Sequence, residues 1–207
     1  MSPTVVAADD ADALDMAAAA IEAGLIVGLP TETVYGLAVL PQEGPLAALI
    51  AAKGRSLDKG IALLIDGLDQ VAHLVHIPDA ARLLAARFWP GALTLVLPLR
   101  PAASLPLAVT GGRDTLGVRL PDHPLPRTLA RRLGPLAVSS ANRSGEPDAR
   151  TAAELVASVG AALSVVLDDG PVRGGVPSTV VAVAADGGLT ILRAGALDEA
   201  ALRAAVG

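Results

Sequence analysis

The chain has 207 residues, 52% of them hydrophobic and 18% charged, which excludes a disordered polymer and suits one large domain or two small ones. Its formal net charge is -5, so it is not held on nucleic acid by bulk positive charge, and any phosphate contact must come from a local basic patch. Cysteine is absent, which rules out disulfides, a thiolate nucleophile and a thiolate metal site, and fits a reducing cytoplasm.

The chain opens on Met1-Ser2-Pro3-Thr4, with no basic segment leading into an apolar one, so no secretory signal is expected. Residues 10–23 are Ala-rich and amphipathic and predict a helix stopped by Gly24. Residues 25–29 form a short apolar run bounded by Gly and Pro, the pattern of a buried strand. Pro30-Thr31-Glu32-Thr33 breaks it, and residues 34–39 resume an extended segment. Residues 45–53 predict a helix with Gly54 as its stop. Strands are expected at 61–65, 93–97, 116–119 and 136–139, and helices at 69–75, 79–88 and 125–133. The Pro-rich stretch 98–106 predicts a flexible surface loop. A helix over 151–159 starts with Thr151 and Glu154 at capping-box spacing. Residues 165–167 read as a strand, 179–183 and 189–192 as a hairpin around Asp186-Gly187-Gly188, and Asp198 as the cap of a last helix. No apolar run reaches the ~20 residues of a spanning helix, and aromatics are confined to Tyr35, Phe88 and Trp89, so neither a membrane span nor a base-stacking surface is expected. Strands and helices interleave without a strict period, which points to a mixed, twisted α/β sheet.

Several polar clusters fall where strands end, the place where open α/β sheets bind ligands. Thr31 and Thr33 flank Glu32 at a forced turn, as ligand contacts or as capping hydroxyls. Lys53, Arg55 and Lys59 gather three cations at a helix end. Such a group is either a solvated cap favoured by the helix dipole or a phosphate clamp. Arg119 sits in an apolar strand and needs an anion, from a protein carboxylate or from a ligand. Ser139-Ser140-Ala141-Asn142-Arg143-Ser144-Gly145 opens a strand into a run of small donors and acceptors. Ser178 and Thr179 precede another strand, with Arg193 on the next.

Other signals are missing. There is no G-x-x-x-x-G-K-[ST] loop and no G-x-G-x-x-G fingerprint. His73, His76 and His123 lack metal-ligand spacing, so no metal site is expected. Asp168-Asp169-Gly170-Pro171 reads as a turn, and no Ser–His pair points to covalent catalysis.

Seven segments, in order, resemble the YrdC/Sua5 family, the threonylcarbamoyl-AMP synthases. They are GLPTETVYGLA (28–38), KGR with Lys59 (53–59), FWPGALTLVLP (88–98), GVRLPDH (117–123), SSANRSGEP (139–147), PSTVV (177–181) and ILRAG (191–195). The resemblance covers roughly residues 24–195. It implies one YrdC-like domain over 1–207, of α/β (α+β type) class, with a twisted mixed sheet and flanking helices around a concave basic cavity, YrdC/RibB-like. It also implies a nucleotidyltransferase that condenses L-threonine, bicarbonate and ATP into threonylcarbamoyl-AMP and pyrophosphate. A separate threonylcarbamoyl-transfer complex then modifies adenosine 37 of tRNA. By the same resemblance Arg55, Lys59, Thr115, Asn142, Arg150 and Arg193 hold the nucleotide, and Lys53 and Arg55 place charge along the phosphates as catalytic groups. Thr31, Thr33, Arg119, Ser140 and Ser178 hold threonine, and Mg2+ arrives with ATP. The Lys53–Arg55 and Ser140–Asn142 segments are expected on opposite sides of the cavity. Departures are Ser56, where the family often has Pro, and Ala182, where it often has Asp. The chain resembles the short members without a further C-terminal domain. Two other readings remain: a non-catalytic module binding double-stranded RNA or tRNA, and a carbamoyl-handling domain like that of hydrogenase maturation proteins.

Overall fold

Short aliphatic runs broken by Gly and Pro become ten strands of one mixed sheet in the computed structural model, which describes residues 2–207. The strands are β1 (Thr4–Ala7), β2 (Val27–Leu29), β3 (Gly36–Val39), β4 (Ala62–Leu64), β5 (Leu93–Pro98), β6 (Thr115–Arg119), β7 (Leu136–Ser140), β8 (Val165–Asp168), β9 (Thr179–Val183) and β10 (Leu189–Arg193). Their order across the sheet is β1-β8-β2-β3-β7-β4-β6-β5-β9-β10. The β1–β8, β2–β8, β4–β6 and β5–β9 pairs are parallel, and the remaining pairs antiparallel. The helices are α1 (Ala13–Glu22), α2 (Glu43–Lys53), α3 (Asp79–Phe88), α4 (Leu107–Thr110), α5 (Pro124–Leu133), α6 (Ala152–Val159) and α7 (Glu199–Ala204).

The two-residue period of a strand sorts the side chains to two faces. On β3, Leu37 and Val39 enter one core with Leu46 and Leu49 of α2, Leu84 of α3 and Leu155 of α6. Ala38 enters the other, with Ile21 of α1 and Leu129 of α5. Leu63, Leu95, Val118, Ala137 and Val181 continue the first core across the sheet. Their alternates Ala62, Val96, Gly117, Val138 and Val180 lie on the opposite face, which α1 covers over β2 and β8 and α5 over one end of β4 and β7; where the helices leave that face bare, these residues line an open concavity. That bare stretch of sheet positions the site.

Most expected elements form, with local differences. β1 was not anticipated: of its four residues only Val6 is buried, so the strand shows no alternation to read. The first helix begins at Ala13 because 8–12 turn, with the Asp12 amide donating to the Asp10 side chain. Residues Leu68–Val71 form a 3-10 turn instead of the start of a helix to 75. The carbonyls of Ala72 and Val75 are taken by the Arg100 Nε. Those bonds, with a Val75–Leu99 bridge, pin the start of the stretch expected to be a flexible loop. Thr151 caps α6 as expected, but Glu154 accepts from the Arg150 amide, one residue before the cap. Asp198 occupies the cap position of α7, yet its side chain accepts no capping bond.

Candidate functional site

The concavity has a volume of about 530 Å³, within the range of small-molecule sites. Its floor is small because Gly36, Ala62 and Gly117 stand at three of the outward positions. Four arginines line it, Arg55, Arg113, Arg119 and Arg193, against one carboxylate, Asp148, among the described residues. A chain of net charge -5 therefore concentrates positive charge in this cavity. Hydroxyls of Thr31, Thr94, Ser140 and Ser178 share the same lining.

Arg119, 7% exposed, ends β6. Its Nη2 donates to Glu32 Oε1 at 2.6 Å and to Thr33 Oγ1 at 2.9 Å, and its Nε to the Gly91 carbonyl at 3.1 Å. The anion it needs is thus supplied by a protein carboxylate. Nη1 has no protein acceptor among the described residues and remains for a ligand. Glu32 Oε2 is buried without a partner. Thr31 Oγ1 donates to the Val34 carbonyl at 2.7 Å and lies 2.9 Å from Thr33 Oγ1, which fixes the turn after β2.

Arg193, on the edge strand β10, donates to the Ser178 carbonyl at 2.7 Å and to its Oγ at 3.2 Å. Ser178 Oγ meets Thr94 Oγ1 at 2.8 Å. Gly195 lets the ILRAG and PSTVV segments pack closely: a Cβ there would collide with the Pro177 carbonyl and the Ser178 backbone. Arg55 folds back on its own loop, donating to the carbonyls of Lys59 (3.1 Å) and Gly60 (2.9 Å). Burial, and then the charge of Arg193, hold the Arg55 guanidinium below its ordinary pKa. Burial likewise lowers Arg193, Asp148 opposing and Arg119 adding to the drop. Two cations held against burial and mutual repulsion favour an anion between them.

Lys53 departs from expectation. It is 3% exposed and lies outside the cavity lining. Its Nζ donates to the carbonyls of Ser140 and Asn142 and to Asn142 Oδ1 at 3.0 Å, so its three donors are used inside the protein and none is directed along a phosphate chain. Burial, with the charge of Arg55, pushes its pKa down to about 8. The two segments expected on opposite walls are therefore tied to each other. Ser140 lines the cavity and its Oγ donates to Asn142 Oδ1 at 2.7 Å, while Asn142 is buried behind it.

Arg55, Thr115, Arg119, Ser140, Ser178, Arg193 and Thr31 are thus brought to one cavity, and Thr33 stands directly behind Arg119. Lys59 is exposed and outside the lining. Arg150 is exposed beside a second depression that shares Asp148 with the first. Sequence reasoning missed Arg113, Asp148 and Thr94 as lining residues. Thr94 was open to discovery, being a polar side chain in step with Val96 on one face of β5; Arg113 and Asp148 lie in irregular loops with no period to read. At Asp168-Asp169-Gly170-Pro171, where a turn is expected, Asp168 ends β8 and its Oδ1 accepts from the Gly170 amide at 2.9 Å, while the Tyr35 hydroxyl donates to the Gly170 carbonyl at 2.7 Å. Burial pushes that phenol up to about 12. His123 caps α5 and meets Asp169 at 3.1 Å. Among the described residues no three His, Cys, Asp or Glu side chains gather as a metal site, and no helix is long and apolar enough to cross a membrane.

Comparison with known proteins adds to this geometry. The Sua5/YciO/YrdC family model, described as "Telomere recombination", matches residues 19–195. The threonylcarbamoyl-AMP synthase of Bacillus subtilis is 39% identical over 194 residues, covering 92% of this chain and 56% of that protein. The putative threonylcarbamoyl-AMP synthase of Mycobacterium tuberculosis is 41% identical over 167 residues, 80% of this chain and 76% of that one. The crystal structure of P. abyssi Sua5 complexed with L-threonine superposes with a TM-score of 0.90 at 34% identity, covering 100% of this chain and 61% of that chain. The chain thus spans little more than half the length of the Bacillus relative.

Proposed function

The chain belongs to the Sua5/YciO/YrdC family, and from that premise we propose that it is an L-threonylcarbamoyladenylate synthase, joining L-threonine, bicarbonate and ATP and releasing pyrophosphate. The observation that carries this reading is the cavity itself: four arginines and a set of hydroxyls on a bare sheet face. The names of the relatives, and the threonine complex of one of them, support it over an RNA-binding module or a carbamoyl-handling domain.

The chemistry requires positioning and charge neutralisation more than a protein nucleophile. The threonine amine takes up the carbon of bicarbonate with loss of water. An oxygen of the resulting carbamate attacks the α-phosphorus, and pyrophosphate leaves. In this proposal the free Nη1 of Arg119 receives the threonine carboxylate, with Glu32 and Thr33 fixing the guanidinium plane. Thr31, Ser140 and Ser178 surround the amino acid. Arg55 and Arg193 neutralise the phosphates, aided by Arg113, and Thr115 contacts the nucleotide. Asn142 acts through its loop, and Lys59 and Arg150 from the rim. Mg2+ would come with the ATP phosphates and would supply further neutralisation there, since the lining is cationic and offers Asp148 alone as a carboxylate among the described residues. The product passes to a transfer complex acting on tRNA, and a cytoplasmic setting belongs to the same proposal.

The test is a reaction of purified protein with ATP, L-threonine and labelled bicarbonate. Threonine-dependent release of pyrophosphate, with the label in an acid-labile adenylate, is expected. Pyrophosphate release that ignores threonine, or none at all, overturns the reading.

A further inference from the structure

Lys53 is a charged residue in a substrate-site motif, yet its ammonium faces away from the substrate cavity. Its three hydrogens are directed at the Ser140 carbonyl, the Asn142 carbonyl and Asn142 Oδ1. The backbone on either side of this contact is tied as well, because the Ser144 amide donates to the Lys53 carbonyl at 2.9 Å. Helix α2 ends at Lys53, and Gly54 follows in the left-handed region at φ 60°, so the helix stops with Lys53 turned inward and Arg55 turned toward the cavity. One helix terminus therefore aims two cations in two directions.

The contacted loop is the junction between the two proposed substrates. Ser140 borders the cavity among the hydroxyls, and Asn142 shares its Oδ1 between Lys53 Nζ and Ser140 Oγ. Asn142 Nδ2 is in turn spent on the Glu146 carbonyl. Without the ammonium, the Ser140 carbonyl keeps only the Asn142 amide and Asn142 Oδ1 only the Ser140 hydroxyl, while the buried Asn142 carbonyl loses its donor, so three oxygens crowd one point with no cation at their centre. The charged facing groups are Arg55, which repels Lys53, and Asp148, which attracts it.

We propose that Lys53 is a positioning residue, an ammonium strut that locks the 140–146 loop in the shape required by both threonine and nucleotide, and not a phosphate ligand. The ligand half of this inference rests on the synthase reading above; the loop half stands without it. A phosphate ligand affects binding in proportion to phosphate content. A strut affects every ligand that leans on the loop, including threonine and adenosine, which carry no phosphate.

Two measurements on the full chain decide it. The first is amide hydrogen exchange on ligand-free wild type and Lys53→Met. Amides 141–144 and 146 all have acceptors in the structure, and their protection is expected to fall about tenfold while the sheet is unchanged. Unchanged protection overturns the strut. The second is calorimetric binding of L-threonine, adenosine and ATP. Lys53→Met is expected to weaken all three by about tenfold, whereas Arg55→Ala weakens ATP and spares threonine. Loss of ATP alone in Lys53→Met overturns the proposal and makes Lys53 a phosphate ligand. If the wild type binds neither threonine nor ATP, the synthase reading fails, and hydrogen exchange still decides the strut. Should Lys53→Met not fold, Lys53→Gln, which keeps a neutral donor, is read in the same two ways.

Discussion

Arg119 carries a charge into a strand otherwise built of Thr, Leu, Gly and Val, and the fold answers it with Glu32. Removing one partner of a buried pair leaves the other uncompensated. Arg119→Ala is therefore expected to destabilise by roughly 3 kcal/mol, lowering Tm by about 6–12 °C in a chain of this size. Arg119→Met combined with Glu32→Gln is expected to recover part of that loss by calorimetry while threonine binding stays absent. A double variant no more stable than Arg119→Ala would show that the loss does not come from the unpaired Glu32 carboxylate. Lys53 makes a second prediction, in pH. Its folded pKa of about 8 lies below the ordinary 10.5, so between those values the unfolded chain binds more protons and stability rises with pH. Lys53→Met is expected to flatten that rise in urea midpoints taken across the window. The neutral amine still donates two hydrogens, so the loop contact persists there. The residue types of the site were legible in sequence: hydroxyls after strands, cations after a helix. The direction of each side chain was not. Lys53 and Arg55 are two positions apart around a helix stop, and which one faces the ligand depends on the oxygens that the distant 140–142 segment brings.

At the scale of the element, alternation was the most reliable guide. β5, β6 and β9 each put branched aliphatics into the main core, and their other face makes the cavity floor, joined there by Val138 of β7. Elements without alternation were missed for that reason: β1 has one buried residue, and α4 is a single turn of four. Gly117 tests the floor. A Cβ there would stand 3.3 Å from the Ala62 Cβ, a tight but relievable contact, and a longer side chain would project into the concavity. Gly117→Leu is expected to weaken both threonine and ATP by about tenfold or more while changing Tm little. A large fall in Tm with normal binding would move Gly117 from the floor of the site to the packing of the sheet.

Over the whole molecule, stability and the site are drawn from different parts of one sheet. β1 and β8 lie at one edge, where α1 covers the face, and the cavity begins at β3. Deleting residues 2–7 removes β1 and its Val6, and is expected to cost about 1–3 kcal/mol. Turnover per folded molecule should be unchanged, measured below the lowered midpoint; a fall in kcat there would link the edge to the site. The strand order has a further consequence. Thr31 and Arg193 line the same cavity although most of the sequence separates them, and β3, β7, β4, β6, β5 and β9 stand between β2, which Thr31 follows, and β10, which carries Arg193, in an order unrelated to the chain. During synthesis on a ribosome no competent site exists until Arg193 has emerged and the long-range pairs have closed. Substrate can then bind only the finished fold, so its binding free energy adds to global stability and its saturation reports the fraction of chains that have completed folding.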